Sequence, residues 1–194
     1  MTIGSLPPNH EQMASWNAAV HLYRHLVEGG IPDEISTSLL LAQGEAAYSD
    51  LTLGYARFYG MDVTYRQTSG FFLGSPLFVA AGLAVNAMGN SLAKRRAEEQ
   101  AAPQWREHCP ARVVVTTYCT MCFAHGRWLR FPHPAVVDFN ADMLNSVCYL
   151  IFNDAEPLQL AGPQVPWLVV LLSSFLYGPD RLPGLPFLQS IART

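Results

Sequence analysis

The chain has 194 residues, 50% hydrophobic and 14% charged, enough for one sizeable core with additions. Its net charge of −3 argues against a nucleic-acid partner, because a phosphate backbone is met by a basic face. The charged fraction lies well below the roughly 25% usual for soluble domains, and the mean hydropathy is +0.13, so some apolar surface is expected to meet a protein partner, another copy of the chain or a membrane surface.

The opening MTIGSLPPNHEQ lacks the basic and apolar regions of a secretory leader, which implies a cytoplasmic protein. Asn9 and Gln12 then have the spacing of a helix cap and its partner, and Met13, Trp16, Val20, Tyr23 and Val27 recur at helical intervals until Gly29 and Gly30. This predicts an amphipathic surface helix within an N-terminal helix-and-linker region, residues 1–38. From Leu39 onward β-branched and aromatic residues dominate. Strands are predicted over Ala46 to Leu53, Ala56 to Tyr59 and Asp62 to Arg66, punctuated by Gly54 and Gly60. A helical insertion follows at about 70–108. It begins with the apolar run Phe71 to Met88, turns amphipathic, and carries Lys94, the only lysine of the chain, beside Arg95 and Arg96. Such arginine bias is that of a GC-rich genome of actinobacterial type. The last half reads mostly as strand. Arg112 to Phe123 and Arg127 to Phe131 form a hairpin about AHGR, where Gly126 supplies a positive φ, and Val136 to Phe139, Ser146 to Phe152 and Leu158 to Leu160 follow. GPQVPWLVVLLSSFLYGPD is punctuated as a helix, with Pro166 in the first turn and Gly178 and Pro179 at the stop. The Pro-rich tail, 179–194, is expected to be extended, with Leu182, Leu185 and Phe187 as docking residues.

Several short antiparallel strands followed by one terminal helix predict an α+β fold: a strongly bent antiparallel sheet or partial barrel, with the C-terminal helix closing one open end. LLLAQGEAAY resembles the entry strand of bacterial pleckstrin-homology-like (PH-like, GRAM-like) domains. ARVVVTTYCTMCFAHGRWLRF is similar to their third-strand hairpin, and VCYLIFNDAEPLQLAGPQVPWLVVLLSSFLYG resembles their last strands and closing helix. The resemblance covers about 39–66 and 111–178, which makes 39–178 one PH-like domain interrupted by the insertion. It implies a non-catalytic adaptor at the membrane surface or in a protein assembly, binding lipid headgroups, peptides or protein copies, with no cofactor. Phosphoinositide-binding members carry a Lys/Arg cluster in the first hairpin. The corresponding region here offers Arg57 and Arg66 as headgroup contacts.

The insertion supplies the other expected contact, membrane or protein, through Phe71, Phe72, Leu73, Leu77 and Phe78 with Lys94, Arg95 and Arg96. A helix buried on the sheet, an interfacial or self-associating helix, and a membrane span all fit the run from Phe71 to Met88. Four cysteines are too sparse for a disulfide framework. In a strand from Arg112 to Phe123 side chains alternate, so Cys119 and Cys122 point to opposite faces, whereas a metal or dithiol site needs converging sulfurs. No metal is therefore expected. The alternative is a metal-binding or redox protein using Cys119-x-x-Cys122, with His108, Cys109 or His125 as further ligands. No nucleophile elbow, P-loop or dinucleotide glycine pattern is present in the sequence.

Overall fold

The computed structural model describes residues 10–60 and 102–194. The chain divides into two compact units, Met1–Arg57 with Arg106–Thr194, and Phe58–Trp105. Of the second unit, only 58–60 and 102–105 are described, and there the rings of Phe58 and Trp105 lie 5.2 Å apart. Asn9, the strand expected over Asp62 to Arg66, and the insertion contacts from Phe71 to Arg96 lie outside the described residues.

The expected N-terminal helix is α1 (His10–Val27). It buries Ser15, Ala19, Val20, Tyr23 and Leu26, while Met13 is 56% and Val27 45% exposed. The buried stripe is thus rotated from the one hydropathy predicts, because the small Ser15 and Ala19 belong to the contact face. Gly29 ends the helix in the left-handed region, φ +89°, and the N–H of Gly30 donates to His25 O at 2.8 Å.

Among the described residues, seven strands form one antiparallel sheet: β1 (Ala47–Tyr59), β2 (Gln104–Thr116), β3 (Cys119–Ala124), β4 (Arg127–Pro132), β5 (Val136–Asp142), β6 (Val147–Phe152) and β7 (Leu158–Ala161). Their order is β4-β3-β2-β1-β7-β6-β5. Two meanders therefore flank β1, and β7 returns to it in the register Tyr55↔Leu160. The sheet is not closed into a barrel, yet it curves enough for Phe131 on the β4 edge to stack on Phe152 of β6, with ring centroids 5.5 Å apart. Alternation sends Leu53, Tyr55, Val113, Val115, Cys122, Leu150, Leu158 and Leu160 into the main core. A smaller cluster on other side chains of the sheet, Ala47, Val114, Cys119 and Met121, lies under Leu39, Leu41 and Trp128.

The closing helix is α2 (Val165–Tyr177), with Pro166 in its first turn and Gly178 at φ +83° as its stop. Leu168, Val169, Val170, Leu171 and Leu172 are all fully buried. A helix apolar on every side must be covered on every side. The sheet, α1 and the tail do this.

Several boundaries differ from expectation. β1 does not break at Gly54: a Cβ there would meet Ala161 O at 3.2 Å, so glycine serves close approach to β7 rather than a turn. β2 begins at Gln104, inside the stretch read as insertion. The single strand from Arg112 to Phe123 is a hairpin, β2–β3, turning at Thr117 and Tyr118. Thr116 Oγ1 accepts from the N–H groups of Tyr118 at 3.3 Å and Cys119 at 3.1 Å, a side-chain turn hidden inside a β-branched run. The β3–β4 turn falls where AHGR predicts it, with His125 at φ +50° and Gly126 at +77°. The tail is not extended: two 3-10 turns, Pro179–Gly184 and Pro186–Leu188, lead into a short helix α3 (Gln189–Ala192). Leu182 is fully buried and Leu185 and Phe187 pack on the core, so these three do dock.

Candidate functional site: a groove along helix α1

α1, the linker at 32–35, the start of β1 and the first turn of α2 enclose an open groove of about 580 Å³. Leu22, Pro32, Ile35, Tyr48, Leu51 and Trp167 supply its apolar lining, and His21, His25, Asp33 and Asp50 its polar one. Its walls are braced from behind. The Tyr48 ring lies 5.0 Å from that of Phe175, and His25 Nε2 donates to Ile31 O at 3.0 Å. Arg112 grips the Asp50 carboxylate through two nitrogens at 2.8 and 2.6 Å, which holds that carboxyl below its usual value.

A second hollow of about 420 Å³ continues the groove toward the start of α1, sharing Ala18, Leu51 and Trp167 and adding Glu11, Ala14, Ser15 and Gln164. Two of its lining residues, Ser15 and Gln164, each carry a buried atom, Oγ and Oε1, without a hydrogen-bond partner among the described residues. Gln164 stands at the N-cap of α2 but makes no capping bond with its side chain. Unsatisfied buried polar atoms each cost about 1–3 kcal/mol, so two in one hollow are unusual. These residues are hard to find in sequence. Ser15 and Ala18 read as spacers between apolar positions, and Gln164 as ordinary helix entry.

The residues expected to do chemistry are placed otherwise. Arg57 is 9% exposed; its guanidinium bonds to the Glu156 carbonyl and carboxylate and lies 5.0 Å from the centre of the Phe131 ring. Its charge is spent internally, where it ties β1 to the turn before β7. Arg66 lies outside the described residues. Cys119 and Cys122 do occupy opposite faces, although through a hairpin rather than one long strand. Burial pushes both thiols up, and pushes Cys148 up to about 12. Among the described residues, no three His, Cys, Asp or Glu side chains are grouped to hold a metal ion.

The most densely bonded polar cluster centres on Glu45, whose side chain is fully buried. Glu45 accepts from Thr116 Oγ1 at 2.6 Å, the N–H of Ala42 at 3.0 Å, Arg130 at 3.1 Å and the Cys119 thiol at 3.5 Å. Burial alone would raise its pKa, but these donors together bring it below the ordinary carboxylate value. The cluster staples the linker to the β2–β3 hairpin. Nearby His133 is buried, stacked on Phe175 with centroids 5.7 Å apart, and burial pushes it down to about 4. No helix among the described residues is long and apolar enough to cross a membrane.

No protein-family model matches the chain, and no curated protein matches it.

Proposed function

We propose that the chain is a non-catalytic, cytoplasmic PH-like binding module whose α1 groove holds an extended segment of a partner protein. The bent antiparallel sheet with a helix packed on its core is the layout that the family resemblance implies. The observation that carries the reading is the continuous open groove lined by Leu22, Leu51 and Trp167, which runs on past the acidic Glu11 and past Ser15 and Gln164, whose Oγ and Oε1 lack hydrogen-bond partners among the described residues. A segment passing there covers Leu51 and Trp167 with its own apolar side chains. Glu11 and Asp33 in the lining favour a segment with basic flanks. Of the charged contacts expected of the first hairpin, Arg57 does not enter this reading, because it is engaged by Glu156.

The test uses a random peptide display library selected on the full chain and on an Ala18→Trp variant. Ala18 is exposed and lines both hollows, so the indole fills the groove without entering the core. Peptides with apolar residues and basic flanks should be recovered on the wild type and lose binding at least about tenfold on the variant, with an unchanged circular dichroism spectrum. Liposome flotation, anionic beside neutral, is run on both. Peptides that bind both proteins equally, or capture by liposomes alone, would overturn the groove reading and return attention to Phe71, Phe72, Leu73, Leu77, Phe78 and Lys94 to Arg96.

A further inference from the structure

The groove along α1 touches Tyr48, Ser49, Asp50 and Leu51, four consecutive residues of β1. Side chains of a strand alternate between the two faces of a sheet, so a hollow that meets four in a row meets the strand along its edge. β2 holds the opposite edge, where the Thr117 N–H donates to Ala46 O at 2.9 Å and the Val115 N–H to Ser49 Oγ at 3.0 Å. On the groove side β1 outruns its neighbour. It has 13 residues, whereas β7 has four, all of them paired with residues 54–57. Beyond them the chain's own linker supplies a single rung: the Ile35 N–H donates to Ala47 O at 2.8 Å in an antiparallel bridge. Adjacent carbonyls of a strand point to opposite edges, so with Ala46 O turned to β2 this rung marks the free edge. Among the described residues, no backbone pairs there with the stretch between, residues 48–53, about 20 Å of strand. An open edge of this kind is a template for strand addition, and Ile35 already uses one rung of it.

We infer that the partner segment binds by strand addition, a mode of recognition that rests on the groove reading above. Its backbone pairs with residues 48–53 of β1, in the space between the linker rung and the end of β7. Every second side chain of such a strand turns to the apolar lining of Leu22, Leu51 and Trp167. The segment is therefore apolar at alternate positions, with its basic residues outside that run, near Glu11 and Asp33.

The probes are the peptides recovered by display selection on the full chain, resynthesised with N-methyl groups at either the odd or the even positions. One methylated set should lose binding at least about tenfold and the other less than about twofold, because only alternate amides of an added strand face β1. Hydrogen exchange of the full chain should slow at amides within residues 48–53 when the unmethylated peptide is present. Peptides that lose binding on the Ala18→Trp variant yet tolerate both methylated sets, carry their apolar residues at three- and four-residue spacing, or leave exchange at 48–53 unchanged would overturn strand addition while keeping the groove. Recovery of no peptide sensitive to Ala18→Trp would overturn both.

Discussion

At the scale of single residues, the polar groups inside this protein fall into satisfied and unsatisfied kinds, and the difference predicts opposite responses to alanine. Glu45→Ala removes the carboxylate that accepts from the Thr116 hydroxyl, the Ala42 N–H and the Cys119 thiol, the first and last of them buried. A loss of about 2–3 kcal/mol is expected in urea unfolding, discounted for the half-exposed Arg130. Ser173 is the reverse case. Its Oγ is buried without a partner in α2, so Ser173→Ala should be neutral or stabilising by up to about 1 kcal/mol in the same measurement. His133 sets the pH response. Its folded pKa of about 4 lies below the ordinary 6.5, so the unfolded chain binds this proton first. Stability should be whole above about pH 6.5, fall as pH drops toward about 4, and lose up to about 3 kcal/mol over that window. His133→Gln should flatten that slope. Glu45, Asp50 and Asp142, all held below their usual values, contribute stability that disappears at lower pH still, as it passes through their folded values.

At the scale of elements, the tail decides more than its composition suggests. Proline spacing reads as extended chain, but Pro179 and Pro186 each sit at the head of a 3-10 turn, a place where the missing N–H costs nothing, and Pro183 lies within the first of these turns. Leu182 and Leu188 reach the core from these turns, and Ile191 from α3. Leu182→Ala should cost about 2–5 kcal/mol in urea unfolding, the loss of a well-buried core leucine rather than that of a surface strap. The strands were legible wherever the pattern was both long and punctuated: β4, β6, β7 and the turn between β3 and β4 fall within a residue or two of expectation. They were illegible where one residue type carries two meanings. Gly54 reads as a break but serves close approach, and Thr116 reads as strand but makes a turn through its hydroxyl. The groove was not legible at all. Ser15, Ala18 and Gln164 carry no periodic signal, and only the meeting of α1 with α2 gives them a common purpose.

At the scale of the whole molecule, the middle of the sheet is built from strands far apart in the chain. β1 lies between β2 and β7, and β7 pairs with it across roughly a hundred residues of sequence. α1 is in the same position: its partners are α2, the turn Pro179–Gly184 and α3. Such long-range pairing slows folding relative to a chain of local contacts. It also orders events on the ribosome. The apolar side of α1 is synthesised early, and the described helices and turns that pack on it are synthesised late, so for most of translation the nascent chain carries an amphipathic helix without them. A stalled product ending before Val165 would keep Val20, Tyr23 and Leu26 in open water and offer quality-control machinery a hydrophobic handle that the finished protein hides.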